Sequence, residues 1–205
     1  MGRSAGMFEA LKGGGAAIAL DEIEVSILRS LAVQLLELIG PGAPEPDEDA
    51  DPLAVLFAES SQKPVERPSD PALMRLFPDA YGGPGPEDRK VDPAELAARS
   101  AEFRRFTEND LRSRKREDAL AVVRSLDGLT PGEDDAAVLE LTGELRLRWL
   151  GALNDLRLTI AARLDITEDD ESAMLFRLPD DDPRKPMVMA YLWLGGLQET
   201  LIETL

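Results

Sequence analysis

Residues 143–164 carry Leu145, Trp149, Leu153, Leu156, Ile160 and Leu164 at spacings of 4, 4, 3, 4 and 4, the repeat of one helical face. Leu147, Leu150 and Leu158 extend the apolar surface well round the cylinder. A helix apolar over more than half its circumference belongs at the centre of a fold, covered by others. Thr142 stands where its N-cap is needed. The same periodicity recurs twice. Ile23, Ile27, Leu31, Leu35 and Leu38 mark one face, widened by Val25, Leu28, Ala32, Leu36 and Ile39. Asp21 with Glu24 three residues on makes a capping box, and Gly40-Pro41 ends that helix. From about Pro183 to Leu205, Met187, Tyr191, Leu194, Leu201 and Leu205 share a face beside Trp193 and Leu197. Gly195-Gly196 inside it costs roughly 1 kcal/mol per glycine relative to alanine. Close approach of the 143–164 helix is the expected compensation.

Around these helices the chain reads as smaller pieces. Met7 to Leu11 and Ala16 to Leu20 are short apolar runs joined by Lys12-Gly13-Gly14-Gly15, a hairpin pattern. The glycines lack the Lys-Ser/Thr ending of a phosphate loop and the spacing of a dinucleotide fingerprint. Asp51-Pro52, Asp70-Pro71, Asp92-Pro93 and Asp182-Pro183 each pair a capping side chain with a residue tolerated at the first helical position. They predict helix starts, the first two helices short: Pro52 to about Ser60, and Pro71 to Phe77. Residues 41–51 are an acidic, proline-rich flexible linker without the spacing of a calcium loop. From Pro93, Leu96, Phe103 and Phe106 mark a face, and Leu111, Ala119, Leu120, Val122 and Val123 continue the pattern to Leu126. Thr107 with Asp110 has the look of a second cap, so 93–127 is either one bent helix or two with a sharp turn. Val138 to Leu141 reads as a short strand. The expected fold is mainly α: a bundle-like single core over residues 1–205, with a small N-terminal β-hairpin.

Composition narrows the chemistry. The 205 residues contain no histidine and no cysteine. Ser-His-Asp triads, cysteine nucleophiles, zinc fingers, Fe–S clusters and disulfides are therefore impossible within the chain. No carboxylate pair with recognisable spacing replaces them. The reading is that the chain is not an enzyme, and that it takes no cofactor and no metal. Apolar stretches fall well short of about 20 residues, so no membrane span is expected. The polar start, Met1 to Gly6, is no secretory leader, and a cytoplasmic location fits. With 23 basic and 40 acidic residues the net charge is −17. That opposes binding to nucleic acid or anionic membrane.

Two constellations stand out. Residues 99–116 hold seven basic side chains against three acids. Within this island Arg104, Arg105, Arg112, Arg114, Lys115 and Arg116 are candidate partner-binding residues. If Thr107 opens a second helix, 108–126 becomes the basic element of a helix-turn-helix; otherwise the island is an arginine-rich face paired to the chain's own acids or to an acidic protein partner. Asn154, Asp155 and Arg157 are polar residues on the most apolar helix. Asp155 and Arg157, two apart, do not face each other and each needs a partner elsewhere. They form a ligand-binding network or a structural one.

Several blocks carry a resemblance: Leu76-Phe77-Pro78-Asp79-Ala80-Tyr81, Glu102-Phe103-Arg104-Arg105-Phe106-Thr107-Glu108-Asn109-Asp110-Leu111-Arg112, Asn154-Asp155-Leu156-Arg157 and Leu197-Gln198-Glu199-Thr200. With them the chain resembles, over nearly its whole length, an actinobacterial domain-of-unknown-function family usually encoded beside a Clp-protease adaptor. Some members of that family are described as oxidation-sensing transcriptional regulators acting with a sigma factor. The resemblance implies a cytoplasmic regulatory protein working through protein contacts with the transcription machinery. Direct DNA binding and a role accessory to Clp proteolysis are the alternatives. Sensing in that family uses cysteines, which this chain lacks, so the sensing role does not carry over.

Overall fold

The computed structural model describes residues 6–41, 66–82, 91–130, 132, 136–166 and 177–205. In chain order these form β1 (Glu9–Ala10), β2 (Ala16–Leu20), α1 (Glu22–Ile39), α2 (Pro71–Leu76), α3 (Pro93–Asp127), β3 (Ala137–Leu141), α4 (Gly143–Arg163) and α5 (Lys185–Glu203). The fold is mainly α with a three-stranded antiparallel sheet. The helix predicted over 52–60 and the acidic linker beyond Pro41 lie outside the described residues.

The hairpin forms as its pattern predicts, with Ala10 opposite Ala16. Gly15 has φ +105, and a Cβ there would lie 2.6 Å from the Leu141 carbonyl oxygen. Only glycine fits this close strand approach. β2 also pairs with β3, from Ala16 opposite Leu141 to Leu20 opposite Ala137. In β3, Ala137, Leu139 and Leu141 point to the core while Val138 and Glu140 face out.

Helix α4 is central, as its apolar circumference predicts. It packs against α1, α2, α3 and α5. Trp149 on α4 is fully buried, edge-on to Phe8 at 6.1 Å, and its indole N–H donates to Ser125 Oγ. The caps at Asp21 (a full capping box), Asp70, Asp92 and Thr142 are all made.

Four details differ from the sequence expectation. The buried stripe of α1 is Leu28, Ala32, Leu35 and Ile39; Ile23 and Ile27 face solvent. On α5 the buried positions are Val188, Leu194, Leu197 and Leu201, whereas Met187 and Leu205 are exposed. Helix α5 is apolar nearly all round, so periodicity alone cannot select the face that docks. On α1 the buried residues form the centre of the apolar arc, and Ile23 lies on the arc that carries Ser26, Ser30 and Gln34. Helix α5 starts at Lys185, two residues after Pro183. Asp182 instead caps the preceding turn, accepting from the Arg184 amide at 2.8 Å. Its carboxyl is held down at about 2, chiefly by the hydrogen bond from the Arg184 side chain. Finally, α3 runs unbroken through Thr107, whose hydroxyl donates back to the Phe103 carbonyl at 3.0 Å. That is the bond of a mid-helix threonine, not of a cap. The sharp turn required for a helix-turn-helix over 108–126 is absent.

Candidate functional site

The basic island lies on α3, with much of its charge turned inward. The first half of α3 buries Ser100, Arg104 and Glu108, while Phe103 and Phe106, expected on the core side, face out. A ladder of charge runs along the buried side. Arg104 bonds Asp79, which also pairs with Arg67 at 3.0 Å. Arg112 donates to Glu108 at 2.6 Å, and Arg104 Nε stands 3.1 Å from the other Glu108 oxygen without hydrogen-bond alignment.

The reason for this inversion lies at the end of α1, whose last carbonyls need donors and whose last turn carries no basic residue. Arg112 donates to the Ile39 carbonyl, and Arg116 donates to those of Leu36 and Gly40. The Arg112 guanidinium also lies over the Phe77 ring at 4.5 Å. Arg105 pairs with Glu102 at 2.9 Å and stacks on Phe106. Lys115 crosses to Asp155 on α4. Of the six candidate partner-binding residues, only Arg114 is exposed, where its charge acts on Asp118. The island therefore serves largely as the C-terminal cap of α1 and as a brace to neighbouring elements.

Asp155 and Arg157 separate as their spacing predicts. Asp155 is buried and accepts from Lys115 Nζ at 2.6 Å. Burial pushes its carboxyl above the ordinary aspartate range, against the pull of Lys115. Asp118 lies nearby at the α3–α4 crossing, against Gly151, and is likewise raised by burial, with Asp155 adding repulsion. Arg157 points instead to α5, bonding Gln198 Oε1 and lying 5.0 Å from the Tyr191 ring centroid. Asn154 is exposed. Asp155 is thus a helix-to-helix brace, while Asn154 and Arg157 line one open pocket with Tyr191 and Arg75. No three metal-ligating side chains converge among the described residues. No described helix is long and apolar enough to cross a membrane.

One surface feature escaped the sequence reading. Tyr81, Phe103 and Phe106 are 42%, 47% and 65% exposed and flank a shallow groove of about 570 Å³ with Ala98, Arg99 and Glu102. Tyr81 and Phe103 meet edge to face at 6.3 Å. Nothing in the local pattern marks this face: Arg104 turns inward to Asp79 and Glu108, and Phe103 and Phe106 are left outside.

Residues 5–205 match the family described as Domain of unknown function (DUF2017). The chain is 30% identical over 187 residues to proteins of Mycobacterium bovis and Mycobacterium tuberculosis named Oxidative stress regulator AosR, covering 89% of this chain and 78% of each relative. It is 33% identical over 186 residues to a Mycobacterium leprae protein whose name assigns that role provisionally, with the same coverage. No solved structure matches.

Proposed function

The chain belongs to the DUF2017 family, and from that premise we propose that it is a non-enzymatic, cytoplasmic regulatory protein acting through contact with another protein, a component of the transcription machinery. The observation that carries this reading is the exposed aromatic patch of Tyr81, Phe103 and Phe106. Leaving three rings in water is costly, and aromatic centres rimmed by charged groups are typical of protein interfaces. Arg99, Arg105, Glu95 and Glu102 supply that rim. The net charge of −17 steers approach of a partner with a basic surface. The names of the mycobacterial relatives support a regulatory role. Without cysteine, this chain does not use thiol chemistry for it.

Direct reading of DNA has little support. Helix α3 is continuous, and five of the six basic candidates are bonded within the fold. The test is a binding assay with purified mycobacterial RNA polymerase holoenzyme. The wild type is expected to associate, and Phe103→Ser with Phe106→Ser to lose association while keeping its helicity and melting temperature. Association that survives the double substitution refutes the patch as the contact. Sequence-specific binding of the purified protein alone to duplex DNA at physiological salt refutes the protein-contact reading.

A further inference from the structure

The pocket between α2, α4 and α5 has a volume of about 500 Å³, within the range of small-molecule sites. Its polar wall is Arg75, Arg157 and Tyr191, and its apolar wall is Leu158, Ala161 and Ile166. Two guanidiniums face this space. In a chain with 40 acidic residues, no carboxylate lines it among the described residues. Arg75 donates to the Ile166 carbonyl at 2.8 Å, and Arg157 to Gln198 Oε1 and, at 3.4 Å, to the Tyr191 hydroxyl. Among the described residues neither pairs with an acid. Each guanidinium carries five N–H donors, so most remain uncommitted. Arg157 Nε is buried with no hydrogen-bond partner.

Arg157 is also held in place. Its guanidinium lies over the Tyr191 ring and against Gly195, where an added Cβ would already touch it at 3.6 Å. A cation fixed by stacking, with free donors and no counter-ion among the described residues, is preorganised for an anion.

We propose that this pocket binds a small organic anion, a carboxylate or phosphate ester bearing an apolar body. The anionic group lies between Arg75 and Arg157, and the apolar body rests on Leu158, Ala161 and Ile166. Asn154 at the rim offers a further hydrogen bond. This chemistry does not depend on the regulatory role, and a ligand found here could exist with or without the partner contact at Phe103 and Phe106.

The test uses the full chain and phenyl phosphate as probe, with inorganic phosphate and neutral benzyl alcohol for comparison. Binding is followed by calorimetry and by the ring resonances of the two tyrosines. Phenyl phosphate is expected to bind one-to-one and shift Tyr191 but not Tyr81, which does not line the pocket. It is expected to bind about ten-fold or more tighter than inorganic phosphate because its ring is buried; benzyl alcohol is not expected to bind. Arg157→Lys and Arg75→Gln should each weaken phenyl phosphate by about ten-fold or more, since a lysine keeps the charge but loses the planar fork. Arg75 is exposed, so its variant folds even if that at Arg157 does not. Arg148→Gln, on another face, should leave binding unchanged. Absence of phenyl phosphate binding in the millimolar range overturns the proposal. So does equal affinity in wild type and the Arg75 variant, or a shift at Tyr81 with none at Tyr191.

Discussion

Replacing Lys115 with methionine removes one half of the ion pair that joins α3 to α4. The pair is closely bonded at 2.6 Å, and its side chains are 15% and 4% exposed for Lys115 and Asp155. Methionine keeps the length and apolar stem of lysine, so packing changes little. The loss falls on the Asp155 carboxylate, left in a buried site without its cation. Breaking one side of a buried pair costs about 3–5 kcal/mol. At about 2–4 °C per kcal/mol for a chain of this size, Tm falls by roughly 6–20 °C. The pH dependence is more diagnostic than the size. Burial already raises the Asp155 carboxyl above its ordinary value, opposed by the Lys115 hydrogen bond and charge. In the variant that opposition is gone and the value rises further. A folded-state value above the unfolded one means the folded chain holds the proton more tightly, so stability falls as pH rises between the two. The deficit of Lys115→Met relative to wild type is therefore largest at neutral pH and above, and shrinks toward about pH 5. Urea unfolding of both proteins at about pH 8 and about pH 5, followed by circular dichroism, measures it. Adding Asp155→Leu should bring stability back to within about 1–2 kcal/mol of wild type, because no buried charge remains. A deficit below about 1 kcal/mol, or one that does not change with pH, refutes the reasoning.

Gly15→Ala should destabilise by about 1–3 kcal/mol from backbone strain alone. The clash of its Cβ with the Leu141 carbonyl oxygen adds to this, and a thermal melt reads the total. Gly195→Ala meets only ordinary contact with Arg157 at 3.6 Å, so its melting temperature should equal or exceed wild type, with up to about 1 kcal/mol gained in helix propensity. Gly195→Leu displaces the Arg157 guanidinium from Gln198 and should cost roughly 1–3 kcal/mol through overpacking. Peroxide at low dose should oxidise exposed Met189, Met187 and Met7 before Met74, read by peptide mass.

Much of the fold was legible in the residues because its causes are local. Asp21 with Glu24, Asp70 with Pro71, Asp92 with Pro93, and Thr142 cap helices through bonds spanning two or three residues, and the structure makes all of them. The hairpin turn at Gly13-Gly14-Gly15 and the central place of the 143–163 helix follow in the same way from spacing and glycine geometry. Asp155 and Arg157 had to seek partners off their own helix, and they do, on α3 and α5 respectively. What spacing could not decide was the direction in which each helix turns. On α5, Met187 and Leu205 fit a core stripe as well as Leu194 and Leu201 do, and only packing against α4 leaves the first pair in water. The island on α3 shows the same limit more sharply. Its charge suggested an outward-facing surface, yet Arg112 and Arg116 turn in to the bare carbonyls of Leu36, Ile39 and Gly40, more than seventy residues away in the chain. A hydrogen-bond need that arises where one helix ends beside another has no signature in either segment. The same turn of α3 puts Phe103 and Phe106 outside. The aromatic patch is therefore a product of tertiary structure, while the capped helices that carry it were determined by the sequence alone.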